Sequence, residues 1–472
     1  MNILVLEAST TSAKAMLYSS KHGIVRILDR AYDTKYQDTT IHDADFVFGQ
    51  LVDLGKQICE NQEVDIIVLS GTWHSVMLCD KGMSPVTPVF TWAYTGAQEL
   101  CKNLRKDSEY TRNFYQKTGC MVNAIYPVYK LMYLKEQGYD LANYHILGQG
   151  TYHYYKLTGK LEVMDSMASG SGLFHIHELK YDSDLLKEVG IEEHQLPDII
   201  SYKAARPLNK EGARLLGLTE GIPVVPAGPD GGLNQIGAGA LAKGVMTFSV
   251  GTSGALRLTA SRPVISENLS TWCYRSPSSW LSGVATSGCC NCVDWYKSRL
   301  FPEQYSYSDI EKNLEKTTLK PPVFLPFLYG ERCPGWNDER RASFHELRPE
   351  HTAIDIYQSV LEGTLYNLYQ SYQELVKLNG LPKKIRLSGG ILNSAYWTQM
   401  CADIFRMEME VDETKQSSLM GGALLGMALL DKSFNLEEYQ GMASRILTPD
   451  LDKGLIYQER YESYLKHYHQ VL

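Results

Sequence analysis

At 472 residues the chain is too long for a single hydrophobic core and fits two domains. Apolar residues at 44% and charged residues at 21% are ordinary globular values, and a net charge of −8 excludes the Lys/Arg stripe that a nucleic-acid partner requires. Anionic small molecules stay open, because a few aimed N–H donors outweigh the overall sign.

The stretch MNILVLEAST has no basic leader, and its apolar run is too short for a signal peptide or a membrane span. A cytoplasmic protein with no membrane partner is therefore expected. Its cysteines are then reduced thiols. Cys289, Cys290 and Cys292 lack the spaced pairs of a zinc site and read as small side chains at a helix start.

The first informative segment is the turn in VLEASTTSAKA. Thr10, Thr11 and Ser12 offer hydroxyls and amides, Lys14 offers a positive charge, and Glu7 places a carboxylate at the strand end. Donors converging in this way suit phosphate oxygens, and the carboxylate could hold Mg²⁺. Taken alone, the segment reads first as an ordinary hairpin with a surface acid.

VDIIVLSG, residues 64–71, predicts a buried strand, and Trp73 and His74 just beyond it could offer a stacking face and a hydrogen-bonding ring to a polyol. His74 reads equally as a structural histidine. A further strand, IPVVPAG over 222–228, runs into AGPDGGLNQIGAG, where Asp230 is expected in a Gly-rich turn at the foot of a cleft. There it could accept the proton of an attacking hydroxyl. A carboxylate near its reference pKa of about 4 is already ionised at neutral pH, so no special tuning is expected.

VMTFSVG, residues 245–251, opens a second copy of the phosphate turn, with Gly251, Thr252 and Ser253. The repeat suggests two similar domains facing each other across an ATP cleft, 1–242 and 243–472, joined tightly enough to hinge. Glu331 and Arg332, in FLPFLYGERCPGW, read as structural. The clearest helix spans 352–379, with a Thr352/Asp355 capping box and a Gly380/Pro382 stop. KIRLSGG predicts a strand over 384–390, and a further helix follows Asn393. Gly389, Gly390, Gly421 and Gly422 are each expected to precede a helix, leaving flat surfaces for adenine or ribose.

In order and spacing, WHS, TWAYTGA, SMASGSGLFHI, AGPDGG, SVGTSGALR, FLPFLYGERCPGW and LEGTLYNL resemble the FGGY family of carbohydrate kinases over essentially the whole chain, most of all its gluconate kinase branch. The resemblance implies an α/β fold of two actin-like, ribonuclease H-like domains, with ATP held mainly by the C-terminal half and sugar by the N-terminal half. It makes Asp230 the catalytic base and Trp73 with His74 a substrate-contacting pair. Gly389, Gly390 and Asn393 become the adenosine segment, and Mg²⁺ is expected near Glu7 and Asp230. The implied activity is transfer of the γ-phosphoryl group of ATP to a hydroxyl of a sugar acid, ketose or polyol, gluconate-like first and pentulose next, in an enzyme that could be a homodimer.

Some residues depart from the family pattern. Glu7 and Ser9 stand where Asp and Gly are usual, and a position needing positive φ would penalise Ser9. Tyr94 and Gly96 replace an acid and an arginine, which removes the natural partner of a sugar-acid carboxylate. These departures motivate an alternative, a catalytically degenerate sugar- or nucleotide-binding sensor of the same fold. An actin-like ATPase would leave WHS, AGPDGG and GERCPGW unexplained.

Overall fold

Asn2–Ala8, sequence NILVLEA, is apolar on both faces and is buried from Ile3 onward, as a central strand must be. In the computed structural model, which describes all residues except 34–37, 315–318, 413–415, 442 and 471–472, it lies inside a six-stranded sheet. The spatial order is Arg206–Pro207, Pro223–Pro229, Ile66–Gly71, Asn2–Ala8, Ser12–Ser19 and Gly23–Ala31. Asn2–Ala8 runs parallel to Ile66–Gly71 and antiparallel to Ser12–Ser19.

The second sheet repeats this plan. Val245–Val250 runs parallel to Lys384–Ser388 and antiparallel to Gly254–Ala260, so the strand that leads into each Thr/Ser-rich turn occupies the same place in its sheet. Its seven strands follow the order Trp272–Arg275, Trp280–Thr286, Gly254–Ala260, Val245–Val250, Lys384–Ser388, Met409–Val411 and Arg445–Leu447. The four strands expected from the sequence are present as Ile66–Gly71, Pro223–Pro229, Val245–Val250 and Lys384–Ser388.

The long helix is Ala353–Asn379, and its Thr352/Asp355 capping box forms as its sequence implies. Gly380 ends it with φ +82°. Ala395–Phe405 is the helix expected beyond Asn393.

Gly421 and Gly422 lie elsewhere than expected, inside the helix Ser417–Leu430 rather than before it. A Cβ on Gly421 would overlap the backbone carbonyl of Leu233, and one on Gly422 would meet Val5 Cγ1 at 2.6 Å. These glycines are therefore spent on close packing, not on a flat ligand surface. This helix follows residue 243 in the chain, yet it buries Leu419, Ala423, Leu424 and Leu425 with Ile3, Val5 and Val68 of the first sheet.

Candidate active site

Strand register builds the centre. Glu7 pairs with Ser70 and Ala8 with Gly71, while Gly228 and Pro229 align on Ser70 and Gly71 from the other side. Glu7, Ser70 and the residue that follows Pro229 thus meet at the carboxyl ends of three parallel strands, where ligands of such sheets sit. That residue is Asp230. It is the first residue of the helix Asp230–Gly237, not a turn residue as its glycine neighbours suggested.

Asp230 Oδ1 accepts the Gly231 N–H at 2.7 Å. Burial, with Glu7 adding to it, raises its pKa from 3.8 to about 6, against the pull of the Gly231 hydrogen bond, Arg257 and Lys14. The untuned carboxylate expected from the sequence is therefore corrected to a tuned one, because its neighbours come from distant parts of the chain. A base poised near neutrality suits proton transfer.

Glu7 is 2% exposed and committed on both oxygens, to Lys14 Nζ at 3.2 Å and to the Ser70 hydroxyl at 2.9 Å. Thr10 Oγ1 accepts Trp92 Nε1–H at 3.0 Å, while Thr11 is exposed. Ser9 keeps φ outside the left-handed region, so no penalty for a side chain arises there. Its hydroxyl donates to the Ser12 carbonyl at 2.8 Å and accepts the Ser12 N–H at 3.2 Å, bracing the turn. Ser9→Gly should therefore lower stability by about 0.5–1.5 kcal/mol and leave turnover unchanged, as read from urea unfolding and initial rates. A higher unfolding midpoint would mean that Ser9 is strained.

His74 has φ +67°, a conformation uncommon outside glycine. Two contacts hold it: its Nδ1 lies 2.6 Å from the Gly170 carbonyl, and its own carbonyl accepts Lys130 Nζ at 2.8 Å. A carbonyl can only accept, so Nδ1 carries the proton and Nε2 is left as an acceptor. Burial lowers the His74 pKa to about 3, which keeps the ring neutral. Trp73 is 7% exposed, with its indole N–H on the Ser166 carbonyl at 2.9 Å and its ring where a Cβ on Gly231 would come within 2.9 Å. It forms a wall behind Asp230.

In the second lobe, Gly251 N–H donates to the Ser253 carbonyl and the Gly251 carbonyl accepts Cys290 N–H. Gly389 has φ +100°, and a Cβ there would sit 2.5 Å from the Val250 carbonyl oxygen, so the Gly389–Gly390 corner lies directly beside this turn. Asn393 is exposed at the end of the short helix that Gly390 begins. Cys289 and Cys292 are buried and Cys290 is half-buried, at the start of the helix Cys290–Leu300.

Glu331 is structural, as expected, held by Arg340 and the Tyr468 hydroxyl. Its neighbour Arg332 pairs with neither. Arg257, Arg332 and Lys130 all adjoin the Asp230/His74 region, and sequence reasoning missed their part in it. The one available signal was an arginine inside the otherwise apolar strand GALRLTA.

Residues 2–237 match the FGGY family of carbohydrate kinases, N-terminal domain, and residues 246–430 match its C-terminal domain. A gluconokinase of Bacillus licheniformis is 27% identical over 448 residues, 90% of this chain and 87% of the relative. A probable L-xylulose kinase of Haemophilus influenzae is 26% identical over 86% of this chain and 84% of its own length. Among solved structures, a gluconate kinase from Lactobacillus acidophilus superposes with a TM-score of 0.93 at 25% identity, covering 99% of this chain and 98% of that one.

Proposed function

Because the chain belongs to the FGGY family of carbohydrate kinases and is an ATP-dependent sugar kinase, we propose that Asp230 is its catalytic base and an open-chain sugar acid or pentulose its acceptor. The observation that supports this most is the position of Asp230: first in its helix, at the strand ends, tuned toward neutrality and beside the Glu7–Lys14 pair.

In this reading a terminal hydroxyl of the acceptor attacks the γ-phosphorus. The new O–P bond forms as the bond to the ADP oxygen breaks, and the hydroxyl proton passes to an Asp230 carboxylate oxygen. Such transfers need little covalent help, so positioning and charge dominate. His74 Nε2 accepts from another hydroxyl of the acceptor, and Trp73 closes the wall behind it. Thr10, Thr11, Ser12 and Lys14 face the phosphates from one lobe, and Gly251, Thr252 and Ser253 from the other. Gly389, Gly390 and Asn393 lie on the nucleoside side.

Glu7 and Asp230 are hard oxygen donors close enough to influence each other, which fits Mg²⁺ held largely by water and phosphate. When bound there, the ion would offset charge on the phosphate oxygens. We assign sugar binding to lobe 1–242 and nucleotide binding to lobe 243–472, in a cytoplasmic enzyme that could form a homodimer. Among the described residues, no helix is long and apolar enough to cross a membrane.

A coupled assay over gluconate, xylulose, ribulose, erythritol and glycerol tests the activity. Sugar-dependent ADP release is expected. ADP release indifferent to sugar, or none with any of them, would overturn the reading and favour the degenerate sensor. The lobes should also close over both substrates to exclude water. Small-angle scattering should then show a smaller radius of gyration with sugar and a non-hydrolysable nucleotide than without them, and an unchanged radius would argue against closure.

A further inference from the structure

Two arginines stand beside the base with no hydrogen-bond or ion-pair partner among the described residues. Arg257 projects from the strand Gly254–Ala260, and its Nη2 comes within 3.3 Å of where a Cβ on Gly231 would lie. Arg332 follows Glu331 in the loop beyond Val323–Leu325 and lies near His74, Tyr126 and Tyr274. The two guanidinium groups are neighbours, since Arg332 acts directly on Arg257 and Tyr274 lies near both.

Each has its Nε buried with no hydrogen-bond partner, and among the described residues neither side chain makes an ion pair. Both residues are half-buried overall, and an Nε–H shut off from water without an acceptor is costly. Burial already lowers the Arg257 guanidinium below its ordinary value; Asp230 opposes this and Arg332 adds to it. Formal charges around the acceptor space are Glu7 and Asp230 against Lys14, Lys130, Arg257 and Arg332, and Glu7 is already paired with Lys14. The balance is positive, and the two arginines are shaped to grip a carboxylate with two parallel hydrogen bonds.

We propose that Arg257 and Arg332 form a clamp for the carboxylate of an open-chain sugar acid, and so select aldonates over neutral pentuloses. This rests on the reading of the protein as a sugar kinase and narrows its acceptor class. The anion could instead be the γ-phosphate of the nucleotide. The position of Arg332 favours the acceptor, because its charge is felt at His74, Tyr126 and Tyr274, and His74 is the residue assigned above to an acceptor hydroxyl. The clamp also replaces the arginine missing from the Thr91–Gly96 loop, where Tyr94 packs on Phe90 and Tyr133.

The test is calorimetric titration of gluconate, xylulose and a non-hydrolysable ATP analogue into the wild type and into Arg257→Gln, Arg332→Gln and Arg257→Lys, with steady-state rates alongside. Expected is gluconate binding weakened at least about thirtyfold in both Gln variants, while binding of xylulose and of the nucleotide analogue holds. Arg257→Lys keeps the charge and the fold but loses the fork, and should show a smaller loss for gluconate alone. Weaker nucleotide binding with gluconate binding intact would overturn the clamp in favour of a phosphate contact. A wild type that binds xylulose more tightly than gluconate would overturn it as well. If gluconate binds as expected but is not phosphorylated, the clamp stands and the kinase reading of the bound acceptor fails.

Discussion

Asp230→Asn is expected to cut turnover by at least about a hundredfold while leaving nucleotide affinity nearly intact. The amide preserves shape and can still accept the Gly231 N–H through its carbonyl oxygen, but it cannot take a proton. Parallel loss of nucleotide affinity would instead make the carboxylate chiefly a metal contact.

The same substitution has a readout independent of chemistry. In the metal- and nucleotide-free protein, the Asp230 carboxyl titrates near 6, above its ordinary 3.8. Between those values the folded state holds a proton that the unfolded state has released. The contribution of this group to stability is therefore fully present below about pH 4 and is lost as pH rises through 6. Asp230→Asn should consequently stabilise the metal-free protein at pH 8, by at most about 3 kcal/mol and less for a half-buried group, and the gain should vanish below pH 4. Urea midpoints at the two pH values, in the presence of EDTA, measure it. A gain that does not change with pH would show that the charge of Asp230 is not what burial opposes. His74, whose depressed pKa makes the protein less stable as pH falls below about 6.5, contributes equally to wild type and variant and drops out of the difference.

What could be read from sequence was local. Val245–Val250 and Lys384–Ser388 announce themselves as apolar runs that stop at glycine, and Ala353–Asn379 carries its own start and stop signals in Thr352, Asp355 and Gly380. Asp230 was found because it lies just after a strand and before the second turn. What could not be read depends on residues far apart in the chain. The raised pKa of Asp230 needs burial and Glu7, and the idle guanidinium of Arg257 is visible only once Arg332 and Tyr274 are beside it. Ser9 looked harmful because its usual counterpart is glycine, but φ at one residue is set by how the turn closes, and here the hydroxyl closes it. Gly421 and Gly422 are expected before a helix because glycine weakens a helix interior, and nothing within Ser417–Leu430 reveals that another backbone passes against them.

That contact carries the second large effect: Gly421→Ala and Gly237→Ala should each destabilise the protein by at least about 3 kcal/mol. A Cβ at Gly421 would overlap the Leu233 carbonyl oxygen and lie 2.6 Å from its carbon, and a Cβ at Gly237 would overlap the Ser417 carbonyl oxygen and lie 2.8 Å from Gly421 N. The helices Asp230–Gly237 and Ser417–Leu430 therefore touch backbone to backbone, and a single methyl can be admitted only by prising them apart. Because Asp230 begins one of these helices, the displacement should also lower turnover at temperatures where the variant is still folded. Gly49, in the helix Ala44–Ile58, supplies the control, since a Cβ there meets nothing within 4 Å. Gly49→Ala should raise stability by about 0.5–1 kcal/mol through helix propensity alone. If urea unfolding places Gly421→Ala level with Gly49→Ala, the two helices are not in backbone contact, and the position of Asp230 over the strand ends loses its mechanical support.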